Sequence, residues 1–360
     1  MQWHCFRGEA LGANDIDLVG YKTGHTPRLL HPSGAMGERC SPDILMLSIC
    51  LCLILRIGGG KFEMYSGIVV SGHCTTAGIA AALAAFIPNE RILPLHMRLS
   101  SEAAGRRQLV QALNQSRFWL TSLVGEQRAA VLSEVENNDL EVLYLPVIRF
   151  AAFHPDCTYV TTTNTNAGPV VLKGVCDYHS AITFWAYQKG LSVERAAGLF
   201  KAEIFADLGY LDAWQASFDN LKTEIETGEI SFGDFILPLM RSGIFMHTIN
   251  HPRIDALVQL AKLLAAKMGF DISESIDALS VTPDGLAATA IWPVYPGIAE
   301  SYGQQGSFLW KFDAIKFAHG PEDFVNLYYQ SYGGRDLADY RCPSLDNPSF
   351  NRVLGAAAGI

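Results

Sequence analysis

The stretch Ile68-Val69-Val70-Ser71-Gly72-His73-Cys74-Thr75, followed by the alanine-rich run from Ala77 to Phe86, decides how this chain is read. Three successive β-branched residues, inside a segment from Tyr65 to Ser71, predict a strand buried on both faces. Gly72 punctuates it. Beyond Cys74, Ile79, Leu83 and Phe86 recur at helical spacing, and Pro88 marks the stop. Strand, tight turn and helix within about 22 residues form the opening of a βαβ unit.

Working outward, Glu102 to Gln115 reads as a helix, with Leu109 and Leu113 four apart. Phe118 to Val124 predicts a second strand, Gln127 to Val135 a helix, and Glu141 to Ile148 another strand. Such alternation favours a parallel sheet covered by helices. The middle of the chain turns helical. Ser180 to Lys189 ends at Gly190, and Ser192 is placed to cap a helix running through Asp207. Asp212-Ala213-Trp214-Gln215 resembles a capping box, with Trp214, Phe218, Leu221 and Ile225 on one face. After Asn250-His251-Pro252, a helix carries Ile254, Leu257, Ala261 and Leu264 up to Gly269. From Phe270 the sequence is loop-rich and aromatic, and no repeat or low-complexity tract occurs. The expected fold is therefore α/β: a parallel sheet core opened by the strand-turn-helix at Cys74, a large helical middle region and an irregular C-terminal tail. The α/β domain is expected over 64–335 and a loop-rich tail over 336–360.

Residues 1–63 form a poorly defined leader. Ile44 to Leu55 is one apolar block, shorter than the roughly 20 residues a membrane span needs. It also lies too far from the N-terminus for a signal-peptide core. Three readings stand open: translation starting at Met64, a membrane-anchoring extension, or an accessory strand or helix. Membrane contact is expected only if 44–55 is an anchor.

Of the 360 residues, 49% are hydrophobic and 18% charged, which excludes a disordered or fibrous chain. The formal net charge of −9 argues against a general nucleic-acid binder. Eight cysteines are scattered without a C-x-x-C pair, so neither a zinc knuckle nor a secreted disulfide framework is expected. The expected setting is reducing and cytoplasmic, with mostly free thiols and no metal.

Cys74 is the first candidate for chemistry. Unpaired N–H groups and the dipole at a helix N-terminus favour a thiolate, and the same groups can hold an oxyanion or phosphate. A structural cysteine is the competing reading. Gly72 allows close ligand approach, and His73 and Thr75 flank the thiol. A nucleophilic cysteine needs a base. His73 is a poor one, because neighbours on an extended chain point opposite ways. His154, in Phe153-His154-Pro155-Asp156, follows the Glu141–Ile148 strand and is expected at the same sheet edge as Cys74. Asp156 orients a histidine or caps a turn. His251 precedes a helix that Asn250 caps unless it orients the imidazole. Arg106 and Arg107, with Arg98, form a modest basic group for ligand phosphates or a solvated cluster.

Taken together, Val69 to Cys74, Phe153 to Asp156, Asn250-His251-Pro252 and Trp292-Pro293-Val294-Tyr295-Pro296 resemble, in order and separation, the WcbI-type polysaccharide biosynthesis proteins. The likeness runs from about Met64 to about Tyr332. It implies an α/β domain that binds coenzyme A or acetyl-CoA as co-substrate and transfers an acyl group to a sugar of a polysaccharide or capsule precursor. On this basis Cys74 matches the family's cysteine, and His154 and His251 match its histidine blocks. The turn departs from the family pattern, in which amide side chains flank the cysteine; here His73 and Thr75 stand in their place. An esterase or thioesterase using the same residues, and a non-catalytic CoA- or glycan-binding protein, are the alternatives.

Overall fold

The computed structural model describes residues 67–96, 103–162, 170–272, 277–333, 335 and 337–360. The leader, its apolar block at 44–55 and Arg98 lie outside them.

The chain opens with β1 (Gly67–Gly72), α1 (Thr76–Phe86), β2 (Arg91–His96), α2 (Ala103–Leu113), β3 (Ser116–Thr121), α3 (Gly125–Leu132) and β4 (Glu141–Tyr144). The four strands form one sheet in the order β2-β1-β3-β4, every pairing parallel. The period of two in a strand sorts side chains to opposite faces. Ile68, Val70, Phe118 and Leu120 face α1 and join the main core through Ile79, Leu83 and Phe86. Val69 and Trp119 face the other way, onto Leu109, Leu113 and Val131 of α2 and α3. The expected sheet with helices on both faces is present.

The missing piece in the sequence reading was β2. Pro94 sits within it, paired opposite Val70. An edge strand tolerates a proline because one row of its N–H groups has no ladder partner to lose. The strands predicted at 118–124 and 141–148 end earlier, at Thr121 and Tyr144.

Beyond β4, the two-residue strands β5 (Cys157–Thr158), β6 (Thr161–Thr162) and β7 (His179–Ser180) lead into a helical body. Its helices are α4 (Ala181–Gln188), α5 (Val193–Ala197), α6 (Ala202–Asp207), α7 (Ala213–Thr227), α8 (Phe232–Ser242), α9 (Ile254–Lys267), α10 (Ala278–Val281) and α11 (Ile298–Ser301). Ser180 caps α4 by accepting from Thr183 N at 3.0 Å, and Ser192 caps α5 from Arg195 N at 3.3 Å. The single helix expected from Ser192 through Asp207 is two, interrupted at Gly198–Lys201. Asp212 makes no side-chain cap, so the expected capping box is not formed.

The stretch expected to be loop-rich is partly ordered into regular elements. It holds the hairpin β8 (Leu309–Lys311) and β9 (Phe317–His319), then α12 (Pro321–Tyr332), β10 (Tyr340–Arg341) and α13 (Pro348–Ala358). Both helices begin at a proline, whose missing N–H costs nothing in a first turn. Asn347 adds a side-chain cap, accepting from Ser349 N at 3.0 Å. Among the described residues no helix is long and apolar enough to cross a membrane.

Candidate functional site

The chain passes from β1 out to β2 on one side and then to β3 on the other. The C-terminal ends of β1 and β3 are thus the switch point of the sheet, where open α/β sheets leave a crevice for ligands. Hydrogen bonds fix these ends: Ser71 Oγ donates to Thr121 Oγ1 at 3.0 Å, Trp119 Nε1 donates to Ser71 Oγ at 2.8 Å, and Ser122 N donates to Ser71 O. The turn carrying Cys74 rises from this crevice. A Cβ on Gly72 would meet Thr76 Oγ1 at 3.0 Å and Leu145 Cδ2 at 3.4 Å, so the chain turns where only glycine fits without displacement. Thr76 closes the turn, its hydroxyl donating to His73 O at 2.7 Å.

Of the four cysteines among the described residues, all free, Cys74 alone is exposed. Desolvation by the surrounding protein pushes its thiol above the ordinary value, against the N–H groups of Cys74 and Thr75, which pull it down. Desolvation outweighs those N–H groups, the reverse of the balance expected from the sequence. His73 is exposed beside the thiol. Partial burial, then the nearby Arg149 guanidinium, lower its pKa. Arg149, in the loop after β4, is exposed and makes no ion pair among the described residues.

The segment 245–253 leads into α9, whose Ile254 and Leu257 pack on Gly78 of α1. His247 N donates to His251 O at 2.7 Å and Arg253 N to Phe245 O at 2.8 Å, pinching the base of a loop. Its tip is anchored by Phe150 N donating to Ile249 O at 2.9 Å. Asn250 does not cap α9. Its Oδ1 accepts the Tyr178 hydroxyl at 2.6 Å, and its Nδ2 donates to the Tyr159 hydroxyl at 3.0 Å. His251 packs edge-on against the Tyr178 ring at 5.6 Å, and its Nδ1 lies 3.3 Å from Thr289 Oγ1. Packing of Gly78 in α1 on Ile254 and Leu257 in α9 brings the starts of the two helices together. Tyr159 is near enough to Cys74 for a thiolate there to raise the phenol's pKa.

His154 is a correction. It is only 2% exposed, with Nδ1 and Nε2 each 3.4 Å from a backbone carbonyl, of Pro293 and Met246. Burial drives its pKa down to about 4. No hydrogen bond joins it to Cys74, and both ring nitrogens face carbonyls in the core. Asp156 is equally buried. It orients no histidine but accepts Ile182 N at 3.0 Å, Tyr210 Oη at 3.2 Å and Tyr295 Oη at 2.9 Å. The blocks around 153–156 and 292–296 thus dock on one another as a polar knot within the core.

Arg106 Nε is 2.7 Å from Glu134 Oε1 and a terminal nitrogen donates to Ala130 O, tying α2 to the end of α3; Arg107 is exposed. Sequence reasoning also passed over His247, whose Nε2 lies 2.8 Å from Asp284 Oδ2 while its buried Nδ1 has no partner among the described residues. No local spacing announces Tyr159, Tyr178 or Asp284; the fold alone assembles them. Among the described residues no group of three or more His, Cys, Asp or Glu could hold a metal ion.

Residues 67–273 match the family model for the polysaccharide biosynthesis enzyme WcbI. The chain belongs to the WcbI family. The match begins at the first residue of β1 and spans the Cys74 turn, Tyr159, Tyr178 and the Asn250–His251 loop. A solved structure of WcbI, described as a novel polysaccharide biosynthesis enzyme in a native form without a disulfide bond between CoA and a cysteine, is similar in fold. It shares 17% identity at a TM-score of 0.57, over 82% of this chain and 95% of that one. No curated protein matches the chain.

Proposed function

We propose that this WcbI-family protein transfers an acyl group from a coenzyme A thioester to a hydroxyl of a sugar in polysaccharide biosynthesis, at the crevice beside Cys74. One observation carries the reading: Cys74, exposed among the described cysteines, stands in the turn that follows β1 at the sheet's switch point. A relative whose cysteine is described in relation to CoA supports the choice of thioester. The residues around the turn suit such a substrate. Gly72 leaves its edge bare, Cys74 is open to a thioester sulfur, and Arg149 is an exposed cation at the rim for phosphate oxygens.

In this reading His251 is the base for the sugar hydroxyl, oriented by Thr289 and Tyr178. The backbone N–H groups at the start of α1 and Cys74 position the thioester end. His154 is left in the core and takes no part. The experiment is calorimetry of CoA and acetyl-CoA with the full chain, then product analysis with sugar acceptors. Binding and acceptor-dependent loss of acetyl-CoA are expected, abolished by His251→Ala. Hydrolysis independent of any acceptor would make the protein a thioesterase, and no CoA binding would remove the reading.

A further inference from the structure

Asp284 sits where separate pieces of chain meet around His251. Its Oδ2 accepts from His247 Nε2 at 2.8 Å and from Ile254 N at 3.3 Å, so one oxygen ties together the two sides of the His251 loop. Its Oδ1 accepts from Ala287 N at 3.0 Å and holds the short turn Leu286–Ala288. Desolvation raises the carboxyl, but His247 and the N–H groups of Ala287 and Ile254 outweigh it and keep the pKa below the ordinary value. The carboxylate thus joins the loop that carries His251 to the turn that presents Thr289. Backbone bonds complete the frame: His247 N donates to His251 O at 2.7 Å, and His251 N to Thr248 Oγ1 at 3.2 Å.

The contact between Thr289 and His251 has a direction. Thr289 Oγ1 lies 2.8 Å from Leu286 O and 3.3 Å from His251 Nδ1. A hydroxyl has one proton, and a carbonyl can only accept. Were that proton turned to the imidazole, two oxygens would face each other at 2.8 Å with no hydrogen between them. The proton therefore goes to Leu286, and His251 Nδ1 is the donor to Thr289. We propose that Asp284 is a positioning residue for His251: through His247 and the Leu286–Thr289 turn it holds the imidazole as the Nδ1–H tautomer, with the lone pair on Nε2. A base needs that assignment, since only the nitrogen without a proton can take one from a sugar hydroxyl. In the transfer, Nε2 takes the hydroxyl proton as the sugar oxygen bonds to the acyl carbon. The carbon–sulfur bond of the thioester breaks, and the imidazolium passes the proton to the departing CoA sulfur. The ring starts and ends in the same tautomer, with Nδ1–H on Thr289 throughout.

The inference rests on His251 being the base of the reading above, but the tautomer is measured without substrate. Its test is the long-range proton–nitrogen NMR spectrum of the full chain, labelled with 15N-histidine, in alkaline buffer where imidazole is neutral. The His251 signals are assigned by their loss in His251→Gln. Wild type should show mainly the Nδ1–H form. Thr289→Val keeps the side-chain shape and removes the acceptor. The tautomer ratio should then move about fivefold toward Nε2–H, the worth of one ordinary hydrogen bond. Thr289→Ser retains the hydroxyl and should keep the wild-type ratio. Asp284→Asn turns an amide N–H toward at least one of the donors the carboxylate accepts, and should move the ratio the same way by a smaller factor. A dominant Nε2–H form in the wild type would overturn the tautomer, a result that needs neither the Thr289 nor the Asp284 variant to fold. An unchanged ratio in folded Asp284→Asn would overturn the positioning role. Absence of CoA binding to the wild type would remove the acyltransferase reading while leaving the tautomer as measured, so the two failures are distinguishable.

Discussion

Gly78 in α1 stands directly against Leu257 in α9: a Cβ on the glycine would come within 2.5 Å of Leu257 Cδ1. This contact sets how closely the two helices approach one turn beyond Cys74. It therefore sets the separation between the Cys74 turn and the His251 loop that precedes α9.

Gly78→Ala tests that role. Alanine gains about 1 kcal/mol of helix propensity over glycine, while overpacking a filled core costs about 1–3 kcal/mol. Leu257 is 1% exposed, so its methyl has little room to move away, and the balance falls on the destabilising side. A net loss of about 1 kcal/mol is expected in urea unfolding. Gly78→Ala combined with Leu257→Ala should be less destabilised than the sum of the single changes. Strict additivity would mean that the two helices adjust freely.

Acid should unfold the protein through two buried imidazoles. Burial lowers His154 and His179 from 6.5 to about 4 each. Between those values the unfolded chain binds protons that the folded one does not, so stability rises with pH across that window and is lost as pH falls through it. Each histidine accounts for about 3 kcal/mol between pH 7 and pH 4. Urea midpoints measured along this range should fall steeply. A variant His179→Gln, whose amide can still reach Tyr332 or Leu172, should show a flatter profile than the wild type. An equally steep profile would assign the acid loss elsewhere.

Asp156 should matter to folding more than any surface carboxylate. It ties α4 through Ile182, and Tyr210 and Tyr295 through their hydroxyls, all without solvent. Asp156→Ala leaves these buried donors without an acceptor, at about 1–3 kcal/mol for each unsatisfied group. A loss of about 3–5 kcal/mol is expected, with Tyr295→Phe costing roughly 1 kcal/mol by comparison. Chemical denaturation of the two variants measures both. Near-equal losses would show that the carboxylate is held by something other than these donors.

The sequence made the β1–α1 unit legible because its signals are local: a β-branched run, one glycine and an apolar helical stripe. What it hid has physical reasons. Pro94 disguised an edge strand, and Pro238 lies inside α8. The prolines at 321 and 348 begin helices within the stretch expected to be loop-rich. At the site, Cys74 was readable because a helix N-terminus is encoded within a few residues. His154 was read as a base because sequence order brings it to the correct strand end, yet order carries no information on depth, and the imidazole is buried. Tyr159, Tyr178 and Asn250 meet across separations of 72 and 91 residues, which no spacing rule detects.

In the proposed function Arg149 meets the polar half of the thioester. Its guanidinium lies by His73 at the rim of the crevice, exposed and without an ion-pair partner among the described residues. A cation so placed suits a phosphate, by charge and by paired N–H donors. Exposure to water and salt limits the gain to about 1 kcal/mol. Arg149→Gln should thus weaken CoA binding roughly five- to tenfold at low ionic strength, and less in 0.5 M salt, about where the screening length falls below 5 Å. Pantetheine, which has the thiol arm but no phosphate, should bind wild type and variant alike. Calorimetry with CoA, dephospho-CoA and pantetheine separates the phosphates in turn. An equal loss with pantetheine would place Arg149 against the thiol arm, and no loss with any of the three would leave it a solvated surface charge.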